Sequence, residues 1–172
     1  YSMQNYVDSK FKVVQNMDAD QHFIFYGDDS NIEREVIKRK MGPRQVRVSL
    51  KSMPPSLVYY DGNKMNFQLK DTFSIQQSET TLKGPHNLIN TMAAVAAVYL
   101  AGVPFEDIRA GLKSFKNAPH RLESVATIKG VEFVNDSKAT NVDSVVYALG
   151  SFDTPLVWIA GGVDKGNDYS II

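Results

Sequence analysis

Asp136, Ser137, Lys138, Thr140 and Asn141 stand together in VNDSKATN (134–141), directly behind the apolar run VEFV. A carboxylate, an ammonium, two hydroxyls and an amide so closely set can cradle a polar substrate. The same residues can equally make a solvated turn. A second polar loop, AGGVDKGND (160–168), ends the apolar run PLVWIAGG. In open parallel sheets ligands gather beyond the carboxyl ends of strands, so Lys138 and Lys165 could face one site. Two converging lysines suit an anionic substrate. The glycines are weak support by themselves, because glycine is the default wherever φ must be positive.

Three further groups carry potential chemistry. GPHNLIN (84–90) sets His86, Asn87 and Asn90 around the first turn of a helix, three and four residues apart and therefore on one side. They suit helix capping, or a hydrogen-bonding edge for a nucleobase or anion at the positive helix end. His120-Arg121 lies where two α/β patterns meet. Such a pair is commonly plain surface, yet arginine can also hold a phosphate with a fork of donors. Lys10, in NYVDSKFKVV, reads on its own as an ordinary solvated helix lysine. No G-x-x-x-x-G-K-[ST] loop, Ser-His-Asp arrangement or His-rich metal motif is present.

The elements that must position these groups follow from periodicity. Residues 3–16 repeat apolar positions at helical spacing, 23–27 is a short buried strand, and 29–40 is an exposed helix stopped by Gly42-Pro43. Strand signals follow at QVRVSL, SLVYYDGNKMNFQL and TFSIQ, with Asp61-Gly62-Asn63 as a hairpin turn. Residues 84–102 form the strongest helix, with Pro85 in its first turn and Gly102 at its end. A second helix runs from Pro104 to about Ser114, and KNAPHR reads as a linker by composition. Beyond it LESVATI and VEFV predict a hairpin around Lys129-Gly130, and Val142–Leu149 a helix capped by Asn141. PLVWIAGG has the continuous apolar character of a buried parallel strand.

Composition narrows the classes. The 172 residues carry 19 basic and 19 acidic side chains, which gives no electrostatic case for nucleic acid or an anionic membrane. Cysteine is absent, which removes disulfides and thiolate metal sites. No apolar run approaches the roughly 20 residues that span a bilayer, so no membrane insertion is expected. The pattern opens inside a helix at Tyr1 and stops behind a glycine loop at Ile172, so a piece of a longer protein is expected.

Four of these segments together resemble the Mur ligases, ATP-dependent amide ligases of peptidoglycan precursor synthesis. GPHNLIN matches their G-x-H-N-x-x-N helix and APHRLE their His-Arg-x-Glu junction. VEFVNDSKATN and IAGGVDKG match the first motifs of their C-terminal domain. The Asp-Ser-Lys-Ala-Thr-Asn run is typical of the branch that adds D-glutamate. The resemblance implies an α/β fold: part of a central ATPase-type domain over residues 1–117, then the start of a Rossmann-like C-terminal domain over 118–172. It implies ATP and Mg²⁺, the small-molecule substrates UDP-MurNAc-L-alanine and D-glutamate, a monomer, and the cytoplasm. Asn87 and Asn90 would sit near the adenine, Arg121 would reach ATP and Asp136 would hold the ribose. Lys138, Thr140 and Lys165 would contact D-glutamate, with Lys138 near the transferred phosphate. Tyr6 followed four residues later by Lys10 matches the position where the family carbamylates a lysine, giving oxygen ligands for Mg²⁺. The stretch by itself is expected to be inactive, with Lys10 as a solvated ammonium. Other readings are a Mur or folylpolyglutamate-type ligase with a different acceptor, or a nucleotide-binding module without catalysis.

Overall fold

The computed structural model describes residues 2–51, 54–82, 84–164 and 166–172, and divides into two compact units, Tyr1–Phe115 and Lys116–Ile172.

In the first unit the chain runs α1 (Met3–Phe11), β1 (His22–Tyr26), α2 (Ser30–Lys38), β2 (Arg44–Ser49), β3 (Val58–Tyr60), β4 (Lys64–Gln68), β5 (Thr72–Gln76), α3 (Pro85–Leu100) and α4 (Phe105–Ser114). The strands form one sheet in the order β1-β2-β3-β4-β5. Pairing is parallel from β1 to β3 and antiparallel from β3 to β5. A parallel sheet with antiparallel outer strands needs cover on both faces where it is parallel, and the alternation along β1 supplies it. Ile24 packs with the cluster of Val46, Val48, Val58, Met65, Phe67 and Ile75, which α3 covers with Leu88, Met92, Val95 and Ala96. Phe23 and Phe25 point the other way, into a smaller cluster with Val7 and Phe11 of α1 and Val36 of α2. The sheet thus has α1 and α2 on one face and α3 and α4 on the other.

Local chemistry explains the element ends. Asp29 caps α2, its Oδ1 accepting from the backbone N–H groups of Asn31 (2.8 Å) and Ile32 (3.0 Å). Asp61 closes the β3–β4 hairpin by accepting from Asn63 and Lys64, while Gly62 adopts φ 95°. The helix expected over 3–16 is shorter: α1 stops at Phe11 and tightens into a 3₁₀ turn, Lys12–Val14. Such turns satisfy the last helical carbonyls.

The second unit holds an antiparallel hairpin, β6 (Glu123–Ile128) and β7 (Val131–Asn135), and α5 (Val142–Leu149). The hairpin turns at Lys129 and Gly130, both at positive φ (52° and 80°), which suits the twist of the flanking strands. Asn141 caps α5, accepting from the Ser144 N–H at 2.8 Å. The strand expected at PLVWIAGG does not form. Val157 and Ile159 are 92% and 90% exposed, and this segment carries no strand pairing. A lone extended run leaves its backbone donors and acceptors without ladder partners, and this one pairs with neither strand of the hairpin. Among the described residues no helix is long and apolar enough to cross a membrane.

Candidate functional site

The second unit joins two of the segments that the sequence marks for chemistry. KNAPHR is not a loose linker. His120 and Leu122 both adopt the left-handed region (φ 66° and 42°), at a cost of order 1–3 kcal/mol each for residues with a Cβ. Hydrogen bonds to VNDSKATN hold them there. The Leu122 N–H donates to Asp136 Oδ1 (3.1 Å), the Lys138 N–H donates to the His120 carbonyl (3.1 Å), and Asn135 Nδ2 donates to His120 Nδ1 (2.8 Å). Within the turn, the His120 N–H donates to Glu123 Oε2 (2.8 Å) and Asn117 Nδ2 to the Arg121 carbonyl (2.7 Å). The loop is tightened further by Ser137 N–H to Asn135 Oδ1 and Ala139 N–H to the Asp136 carbonyl. These bonds join the turn at 120–122 to the loop at 135–138 through backbone and short polar groups. The side chains of Arg121, Lys138 and Thr140 are exposed. One oxygen of Asp136 is committed to the turn, so this residue has a structural task besides any ligand. Lys165 lies outside the described residues.

In the first unit, α3 begins with Gly84 at φ 90° and Pro85 in its first position, and no side chain caps it. Leu88, Thr91, Met92, Val95 and Ala96 are its buried side. Asn90 is exposed, on the side turned from that stripe, and His86 and Asn87 are half-buried next to it. The amides thus stand at the positive end of a 16-residue helix, where hydrogen bonding to a base or an anion is favoured. Lys10 is exposed in the last turn of α1, its Nζ 5.3 Å from the centre of the Tyr6 ring.

Two polar constellations of this unit escaped the sequence reading. At the carboxyl end of β1, the Arg47 guanidinium donates to the Gly27 carbonyl, to Glu33 Oε2 (3.0 Å) and to Ser56 Oγ (2.6 Å). Asp28 accepts from Ser49 Oγ (2.7 Å) and the Leu50 N–H (2.9 Å). A Cβ at Gly27 would lie 2.1 Å from Arg47 Nε, so any side chain there must displace the arginine. The run Gly27-Asp28-Asp29 behind an apolar strand was the available signal. The other constellation is Glu35, only 1% exposed on α2, which accepts from Arg39 Nε (2.9 Å) and from Gln4 Nε2 of α1 (3.4 Å). The hydrogen bond from Arg39, then those of Gln4 and the charge of Lys38, hold its carboxyl below the ordinary range although burial pushes it up. A single glutamate on an amphipathic helix gives no sequence signal for this.

The first 98 residues match the family described as Mur ligase middle domain. The chain belongs to the Mur ligases. Over its whole length it is 48% identical to the UDP-N-acetylmuramoylalanine–D-glutamate ligase of Cytophaga hutchinsonii and 42% identical to that of Bacteroides thetaiotaomicron. It spans 39% of the length of each of these relatives. Among solved Mur ligases, MurF from Acinetobacter baumannii superposes with a TM-score of 0.66 at 19% identity, over 88% of this chain and 34% of that one. A pseudomurein peptide ligase from Methanothermus fervidus gives 0.62 at 16% identity, over 90% and 38%. At these identities the two structures speak for the Mur ligase fold alone, which the mixed sheet with helices on both faces shares. Among the described residues no three histidine, aspartate or glutamate side chains converge as a metal centre.

Proposed function

We propose that the chain is part of an ATP-dependent amide ligase that joins D-glutamate to UDP-MurNAc-L-alanine, with residues 1–117 in its central ATPase-type domain and 118–172 opening its C-terminal domain. The observation that carries the reading is the pairing of the His120–Leu122 turn with the Asp136–Lys138 loop, in a chain 48% identical to a D-glutamate ligase throughout.

The chemistry asks for what these residues offer. The γ-phosphoryl of ATP passes to a carboxylate oxygen of the alanine, releasing ADP. The D-glutamate amine then attacks the acyl carbon, loses a proton, and the C–O bond to phosphate breaks. Both steps crowd anions together, so catalysis rests on positioning and on positive charge. Asp136 accepts from the ribose hydroxyls while its other oxygen keeps the turn closed, and Arg121 faces the phosphates. Asn87 and Asn90 present amides to the adenine. Lys138 and Thr140 hold the D-glutamate carboxylates, joined by Lys165, and Lys138 lies nearer the developing charge.

An ammonium cannot ligate Mg²⁺, and the described residues form no ready metal cage. Mg²⁺ is commonly held by one or two carboxylates and substrate phosphates. Lys10 would contribute to such a site as a carbamate, its amine having taken up carbon dioxide with loss of a proton. The deciding experiment is phosphate release by the full-length protein with ATP and UDP-MurNAc-L-alanine. Release that depends on D-glutamate is expected. Release that depends on another amino acid would refute the acceptor, and none with any acceptor would favour a non-catalytic nucleotide-binding module.

A further inference from the structure

We propose that Glu35 of α2 and Arg39, which caps its C-terminal end, are positioning residues that set the rotation of α1 and so the direction in which Lys10 faces. This rests on the proposed carbamate at Lys10. The observations lie on one flank of α1. Gln4, Asp8 and Phe11 follow at helical spacing, and each meets the pair. Gln4 Nε2 donates to Glu35 Oε1, Arg39 Nη2 is bonded to Asp8, and the Arg39 guanidinium lies 5.0 Å from the centre of the Phe11 ring. Val7 and Phe11 bury the adjoining flank against Phe25 and Val36.

Apolar contacts alone fix rotation poorly, because they are non-directional and a small helix can roll on them. Hydrogen bonds accepted by a carboxylate that is 1% exposed are directional, and a misplaced α1 would leave that charge without the donor it has in Gln4. Lys10 follows Asp8 by two residues, roughly 200° around the helix, and so occupies the far flank with Tyr6. Holding the near flank therefore aims the Lys10 amine. A buried ion pair often adds little stability over apolar residues of the same volume, so orientation is the better reason for this one.

The test uses the full-length ligase with three changes. Glu35→Gln removes the charge at constant shape. Glu35→Leu with Arg39→Met replaces the pair by apolar volume. Glu79→Gln breaks the Arg109 ion pair elsewhere in the same unit as a control. Carbon-13 NMR in labelled bicarbonate reports the carbamate, and amide hydrogen exchange reports α1. Both Glu35 variants should need at least fivefold more bicarbonate for half-maximal carbamate and activity, with KM for ATP unchanged and α1 exchange at least tenfold faster. Excess bicarbonate should restore activity, and Glu79→Gln should leave all of these at wild-type values. If the wild type carries the carbamate and either folded Glu35 variant keeps its bicarbonate dependence, the positioning role is overturned. If the wild type carries none, the Lys10 reading fails instead. Exchange then decides the clamp: acceleration confined to α1 sustains it, and unchanged exchange overturns it.

Discussion

Asp136→Asn and Asp136→Ala separate the turn-closing bond that Asp136 makes in the structure from the nucleotide role proposed for it. Oδ1 accepts the Leu122 N–H at 3.1 Å, and this bond holds a residue at φ 42°. Hydrogen bonds to charged groups contribute about 1.5–3 kcal/mol. Asp136 is half-exposed, so roughly 1–1.5 kcal/mol is expected for the turn. Asparagine keeps an acceptor oxygen for Leu122, but its other atom is a donor and cannot accept from a ribose hydroxyl. Asp136→Asn should therefore unfold within a degree or two of wild type while its KM for ATP rises. A lost charge-assisted bond of about 1.5–3 kcal/mol corresponds to a factor of roughly 10 to 150. Asp136→Ala should show the same rise in KM and also melt several degrees lower. Phosphate release against ATP concentration in the full-length protein, with KM for the UDP substrate as the internal control, measures one effect. Scanning calorimetry measures the other. An Asp136→Asn enzyme with wild-type KM for ATP would refute the nucleotide role. Equal rises in both KM values would show that only the loop had been disturbed.

Lys10→Ala in the full-length ligase should lose nearly all activity, and short carboxylic acids should restore part of it; wild-type turnover would end the carbamate reading. Met92 is wholly buried between α3 and the sheet, so Met92→Ala should cost about 2–5 kcal/mol in denaturant unfolding. Gly27→Ala must displace Arg47, severing its bonds to Gly27, Glu33 and Ser56, and should destabilise the protein by about 1–3 kcal/mol. Glu79 is held below its ordinary value of 4.5, chiefly by its hydrogen bonds from Arg109 and then from the Gln76 N–H. A depressed carboxylate stabilises the fold fully above its unfolded-state value and loses that effect as pH falls through the folded one. The melting-temperature gap between wild type and Glu79→Gln should be constant from pH 7 to 6 and close progressively below 4.5; a gap that widened in acid would contradict the assignment.

Residue order by itself determined the features that depend on near neighbours. Asp29 before an amphipathic run, Asp61-Gly62-Asn63 between β-rich runs, Gly84-Pro85 at the start of α3 and Asn141 before α5 each solve a local hydrogen-bonding or dihedral problem, and the structure forms the elements they bracket. The family was legible in GPHNLIN and NDSKATN for the same reason: each motif is written in consecutive residues. What only the tertiary structure decided involves partners far apart in the chain. Glu35 meets Gln4, Asp28 meets Ser49, and Asp136 meets Leu122 across separations of 31, 21 and 14 residues. PLVWIAGG shows the same limit from the other side. Its apolar content suits a strand, yet a strand exists only where a neighbour accepts its backbone hydrogen bonds, and that neighbour is a property of the fold rather than of the segment.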